Sequence, residues 1–279
     1  MCEFCVKHGE GEKWYLQAKN YSDDLLSDIH RRKFIEEFFS DGLTREVQSL
    51  KRLKKSPQFI RSLLQRIFTR KMKQVHFGQV VPMEEIEQIF GFVNSIVRLA
   101  CHCRHSTLGQ EKRYCYGISL SPHMGKLGEI IQGLDNNLRG DPVTVEMEKL
   151  TKAEAIAAFH AHEQEGLCHT VWTFHTPFIG GICNCDRSDC LAMRSTVTHA
   201  LPVMFRSEYV AQVDSEKCAG CRKCMSVCQF GAITYSAANN QTVVDQRWCY
   251  GCGVCRAKCK KEAIRLEERA KMPTAANLW

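Results

Sequence analysis

The sequence predicts an α+β protein: a mainly helical, metal-binding N-terminal region followed by a small repeated module. Three observations predict it. Cysteine accounts for 17 of 279 residues, and these cysteines fall in short clusters. The last two clusters share one spacing. Upstream of them, apolar residues recur at helical intervals. The remaining composition, 44% hydrophobic and 25% charged, is that of a globular chain and excludes collagen, coiled coil and general disorder.

The helices follow in chain order. Asn20-Tyr21-Ser22 precedes a helix predicted to reach about Phe39, where Asp41-Gly42 stops it. Within it, Arg31-Arg32-Lys33 superficially matches a twin-arginine export signal. Glu36 and Glu37 follow where an apolar stretch would be required, so the segment reads as helix surface. Phe59, Ile60, Leu63, Leu64, Ile67 and Phe68 predict an amphipathic helix with its stripe in the core. Pro82 starts another, with Ile86, Ile89, Phe90, Val93, Ile96 and Val97 on one face leading into Cys101. Thr151-x-x-Glu154 is a capping-box signal for a helix ending near Gly166.

The cysteines carry the chemistry. The opening residues are polar and charged, with no apolar core of a secretion signal, and no apolar run is long enough to span a membrane. A cytoplasmic chain is therefore expected, in which clustered cysteines bind metal rather than form disulfides. Cys218, Cys221, Cys224 and Cys228 follow the pattern C-x2-C-x2-C-x3-C, and Cys249, Cys252, Cys255 and Cys259 repeat it. Zinc rarely uses such a pair of runs. Gly220, Gly251 and Gly253 sit inside the loops, where backbone passes close to a cluster.

This repeat resembles the bacterial two-cluster ferredoxin. The resemblance implies two [4Fe–4S] clusters. Cys218, Cys221, Cys224 and Cys259 would hold one, and Cys249, Cys252, Cys255 and Cys228 the other. Ferredoxins usually place proline after the fourth cysteine; here Gln229 and Lys260 stand there.

Nine cysteines lie upstream. Cys2 and Cys5 form C-x2-C with His8 beyond. Cys101 and Cys103 form C-x-C ahead of Cys115, and Cys183 and Cys185 form C-x-C ahead of Cys190. Cys168, a ligand or a small buried hydrophobe, precedes His169, the best histidine candidate. These residues predict one or two further metal centres, iron–sulfur or zinc.

The stretches Val80-Val81-Pro82-Met83-Glu84-Glu85, Cys101-x-Cys103-Arg104, Gly166-Leu167-Cys168-His169 and Ile182-Cys183-Asn184-Cys185 resemble a family of anaerobe ferredoxin-like proteins. These pair a cysteine-rich region with a C-terminal two-cluster ferredoxin. Relatives often carry a second adjacent cysteine where this chain has Asp186. With the repeat, the resemblance covers most of residues 80 to 265 and implies a role in electron transfer. The expected organisation is a helical extension with a basic segment (1–78), a cysteine-rich metal-binding domain (79–205), a two-cluster ferredoxin domain (206–268) and a tail (269–279).

Residues 45–73 carry ten cations against Glu46 alone, within a net charge of +7. An acidic redox partner or larger redox complex ranks first as the counterpart. Nucleic acid ranks second, because no groove-reading motif accompanies the charge, and an anionic membrane surface third. No nucleotide fingerprint is present, so electrons enter from a partner. The leading function is an electron-transfer protein or a ferredoxin-like subunit of an anaerobic redox complex. The alternatives are a reductase or activase with a catalytic N-terminal centre, and a redox-sensing nucleic-acid-binding regulator.

Overall fold

The computed structural model describes residues 3–39, 48–49, 52, 57–135 and 147–278. The chain opens with helix α1 (Glu3–Gly9), a series of 3-10 turns and α2 (Ile29–Glu37). Asp28 caps α2 by accepting from the backbone of His30 and Arg31, so the helix begins later than Ser22. Arg31 is not surface: its guanidinium is buried and donates to His175 O and Leu25 O. Asp41-Gly42 lies outside the described residues. Next come α3 (Gln58–Val75), β1 (Gly78–Val80), α4 (Met83–Phe92), β2 (Ser95–Leu99), α5 (His102–Leu108), β3 (Cys115–Ser119) and α6 (Gly125–Asp135).

The second half of the cysteine-rich region holds β4 (Glu148–Leu150), α7 (Lys152–Glu165), β5 (Cys168–Thr173), β6 (Ile179–Cys185), α8 (Leu191–Met193) and β7 (Met204–Phe205). The Thr151–Glu154 capping box is present, and Gly166 closes α7 in the left-handed conformation.

The region expected to be mainly helical is organised by a sheet of seven strands in the order β4-β2-β3-β6-β5-β1-β7. All neighbours are antiparallel except β1 and β7. Ile96 and Val97 belong to β2 rather than to the helix begun at Pro82, and it is this strand that leads into Cys101. Side chains alternate across a sheet. One face carries Val171, Ile182, Tyr116 and Ile118, packed under Ile86, Ile89 and Phe90 of α4 and Phe159 of α7. The other carries Val97 and Leu99 at one end. At its other end lie Cys168, Trp172 and Cys185.

The C-terminal module holds β8 (Tyr209–Val213), α9 (Lys223–Ser226), β9 (Ile233–Ser236), β10 (Gln241–Val244), α10 (Val254–Ala257) and β11 (Ile264–Glu268). β8 pairs with β11 and β9 with β10. The expected tail folds back onto the module: Ala275 is buried in its core, with Met272 packed against the same cluster. No described helix is long and apolar enough to cross a membrane.

Candidate metal centres

The two halves of the module superimpose in their bonding. Asp214 N–H bonds Ala263 O, as Asp245 N–H bonds Ala232 O. Ala232 N–H reaches Cys228 Sγ at 3.2 Å, and Ala263 N–H reaches Cys259 Sγ at 3.4 Å. Each loop also takes support from the other half. Ala211 N–H lies 3.3 Å from Cys249 Sγ, while Thr242 Oγ1 lies 3.5 Å from Cys224 Sγ and 3.6 Å from Cys218 Sγ. Such donors to sulfur help set a cluster's potential.

Gly220 and Gly251 are required by this crossing. Both have positive φ, and a Cβ would stand 2.5 Å from Asn240 O or 2.1 Å from Tyr209 O, the strand ends of the opposite half. Their constraint is therefore backbone packing between halves.

The surroundings differ. In the first half Cys221 is exposed and Cys218 partly so. In the second, Cys249 and Cys255 are buried, and the loop faces the sheet. Cys252 packs against the apolar cluster that contains Cys168. Phe230 stacks on Tyr250, centroids 4.0 Å apart, in the same apolar cluster as Cys168, Cys185 and Cys190. Gln229, standing where ferredoxins carry proline, explains part of this seating: its amide donates to Gly166 O at 2.8 Å and accepts from Arg187 N–H at 2.9 Å. Arg256 adds an ion pair to Glu84 at 2.6 Å. Two guanidinium groups close the second loop from behind. Arg206 and Arg269 both donate to Cys249 O, at 3.0 and 3.1 Å.

On the sheet, register assembles six upstream cysteines. Cys115 faces Cys183 across β3 and β6, and their sulfurs are 3.3 Å apart. Cys185 Sγ lies 3.3 Å from Cys190 Sγ. Cys101, which starts α5, meets Cys115, and Cys103, in its first turn, meets Cys190. Each trio thus takes thiols from both C-x-C segments. A hydrogen bond from Cys115, helped by the Arg104 charge and Tyr114 N–H, brings the Cys101 thiol down to about 7 against the effect of burial. Hydrogen bonds from Cys103 and Cys185 likewise hold Cys190 well below the ordinary thiol range.

Arg104 organises this group. Its buried guanidinium reaches Cys101 Sγ at 3.4 Å and Asn184 O at 3.0 Å, pairs with Asp186, and lies over the Tyr114 ring. Burial opposes the charge, but Cys190, Cys101, Cys185 and Asp186 outweigh it and hold Arg104 protonated. Asp186 is engaged twice more, by Asp189 N–H at 2.6 Å and Ser188 Oγ at 2.8 Å. It is a clasp for the turn between β6 and α8.

The remaining candidates are placed elsewhere. His169 points to the opposite face of the sheet. Its Nδ1 is 2.6 Å from Asn184 Oδ1, and its ring packs on Phe159. Burial lowers it to about 4, so it is neutral. Cys5 is buried in the apolar core beside Trp14 and Tyr15, 3.5 Å from Glu208 Oε1. Cys2 lies outside the described residues. Arg206, Arg269 and Gln229 were absent from the predicted set. Only Gln229 announced itself in the sequence, as a departure from the usual proline.

Zinc bound by thiolate has Zn–S near 2.3 Å and closes a tetrahedron of four ligands. Among the described residues no group of three or more His, Cys, Asp or Glu closes around one ion position. Six thiols thus gather at one sheet face, Cys115, Cys183 and Cys185 from the strands and Cys101, Cys103 and Cys190 from the helix starts above them.

Neither curated proteins nor solved structures contain a match to this chain. Residues 211–234, which run from the end of β8 through the first cysteine run to the start of β9, match the 4Fe-4S binding domain family. The chain therefore carries an iron–sulfur domain of ferredoxin type, with at least one [4Fe–4S] cluster and the electron-transfer chemistry that goes with it.

Proposed function

We propose that the protein is a three-centre electron relay. Its order runs from an exposed [4Fe–4S] cluster, through a buried one, to a polynuclear centre on the sheet. Cys218, Cys221, Cys224 and Cys259 hold the first cluster. Cys249, Cys252, Cys255 and Cys228 hold the second. Cys101, Cys103, Cys115, Cys183, Cys185 and Cys190 supply the third centre. A one-electron donor protein docks where Cys221 reaches the surface; bound clusters would carry single electrons from it inward, each centre returning to its oxidised form as the electron moves on to a one-electron acceptor.

The observation that carries this reading is the position of Cys168. It sits opposite Cys185 on the thiol face of the sheet and in contact with Cys252 of the module. It therefore places a thiol between the second cluster loop and the six-thiol group. A ferredoxin merely tethered to a structural domain has no need of a buried thiol at the boundary. The iron of the clusters supplies the redox chemistry; the chain supplies thiolates, amide donors and exclusion of solvent.

The test is an anaerobic preparation of the full chain with iron, sulfide and zinc counted and EPR taken on the reduced sample. The relay predicts about twelve irons or more per chain and a third paramagnetic signal. About eight irons with one or two zincs would end the relay at the second cluster and make the sheet site structural.

A further inference from the structure

The helix α3 departs from its sequence expectation. Its apolar stripe was expected in the core, yet none of its 18 residues is buried. Phe59 is 74% exposed, Leu63 59% and Ile67 59%, with Ile60 and Leu64 beside them at 37% and 44%. These five side chains stand at i, i+1, i+4, i+5 and i+8, so they form a single outward band. The helix is held from its other side. Phe68 and Met72 pack against the cluster containing Met193 and Met204, and Gln65 donates to His199 O at 2.7 Å. The band is therefore not a loose end waiting to collapse inward.

Charge frames it. The helix contains Arg61, Arg66, Arg70, Lys71 and Lys73 and no acidic residue. Arg66 and Arg70 run along one edge of the band, and Lys71 stands one turn beyond Ile67. In the sequence, residues 45–57 before the helix add Arg45, Lys51, Arg52, Lys54 and Lys55.

We infer that α3 is a membrane-surface helix that lies in the interface of an anionic phospholipid bilayer. Two requirements must be met at once: burial of a band of large apolar side chains, and neutralisation of a dense one-signed charge. An acidic protein patch meets the second and leaves the first in water. A bilayer interface meets both, since acyl chains take Phe59, Leu63 and Ile67 while headgroup phosphates take the arginines and lysines. Two features, cations bordering an apolar face and fixation through the opposite face, are those of a helix that lies on a membrane rather than crossing it.

The test uses the full chain with its iron, floated with vesicles of phosphatidylcholine alone or with about a third phosphatidylglycerol, at low and high salt. The protein should float with the anionic vesicles at low salt and stay behind with the neutral ones. The triple variant Phe59→Ser, Leu63→Ser, Ile67→Ser, all exposed, should keep its visible spectrum and iron content and lose roughly tenfold or more of its partitioning. Arg66→Gln, Arg70→Gln, Lys71→Gln should lose a similar amount at low salt. As a second readout, Leu63→Trp should give a blue-shifted tryptophan difference spectrum with anionic vesicles. Absence of flotation at low salt overturns the inference. So does unchanged flotation of the serine variant, which would mean charge adsorption alone. A dimer by light scattering that the serine variant dissolves, without vesicle binding, would assign the band to a second copy.

Discussion

The two halves of the cysteine repeat share a backbone and differ in what surrounds it. Gly220 and Gly251 make the same crossing, and Ala232 and Ala263 the same sulfur contact. Yet one loop shows Cys221 to solvent, while the other presses Cys252 against Cys168 and Tyr250 against Phe230. Ligand spacing was duplicated; surroundings were not. A symmetric pair of clusters has no direction. In the proposed relay, burying one of them against a second thiol group provides one: the exposed half would be the port and the buried half would face inward.

The largest expected effect breaks that asymmetry directly. Cys221→Ser should remove the signal of the exposed cluster and leave the remaining iron and the fold in place. Cys252→Ser should remove the buried cluster and also loosen the boundary with the sheet, because cluster binding supplies folding free energy where the apolar core is small. Its melting temperature should fall by roughly 5 °C or more below that of Cys221→Ser. Equal melting temperatures would mean that the two halves are energetically alike and that the boundary stands without the cluster.

The same contrast explains what was legible in the sequence. Cysteines close together in the chain leave a spacing that reads directly, so the ferredoxin-type domain matched at residues 211–234 was legible from the sequence. The sheet was not. β5 and β6 are covered on both faces, so Cys168–Thr173 and Ile179–Cys185 lack the alternation that marks a half-buried strand. Ile96 and Val97 happened to continue the spacing of α4, and only their β-branching spoke for a strand. The six upstream thiols were each named as candidates, but their grouping depends on β3–β6 register, which no local pattern encodes. The α3 stripe misled for the opposite reason: periodicity reports an amphipathic helix and says nothing of what covers it.

A smaller effect sharpens the comparison electrostatically. Arg206 reaches Cys249 O behind the buried loop, and its guanidinium lies over Tyr250. Lys260 follows Cys259 and is exposed. Positive charge favours the reduced, more negative cluster. Arg206→Gln should therefore lower the potential of the buried cluster by roughly 50–100 mV, equivalent to about 1–2 kcal/mol for a charge in a medium of intermediate dielectric. Lys260→Gln should shift the exposed cluster by only about 20 mV or less, because solvent and salt screen it. EPR-monitored redox titration reads both. A larger shift for Lys260→Gln would overturn the assignment of port and interior.

The smallest effect tests the one chemical difference between the crossing strands. Ala211 and Thr242 occupy equivalent places, each supporting the opposite loop, but only Thr242 brings a hydroxyl, within 3.5 Å of Cys224 Sγ and 3.6 Å of Cys218 Sγ. When those sulfurs are cluster-bound thiolates the hydroxyl can only donate, and a donor to sulfur stabilises the reduced state. Thr242→Ala makes the two halves alike at this position. It should lower the potential of the exposed cluster by on the order of 20–50 mV, the scale of one weak hydrogen bond. The buried cluster should not move, because the hydroxyl faces only the first loop. Thr242→Ser, which keeps the donor, should restore most of the shift; a serine variant that behaves like alanine would trace the effect to the lost methyl group and to packing.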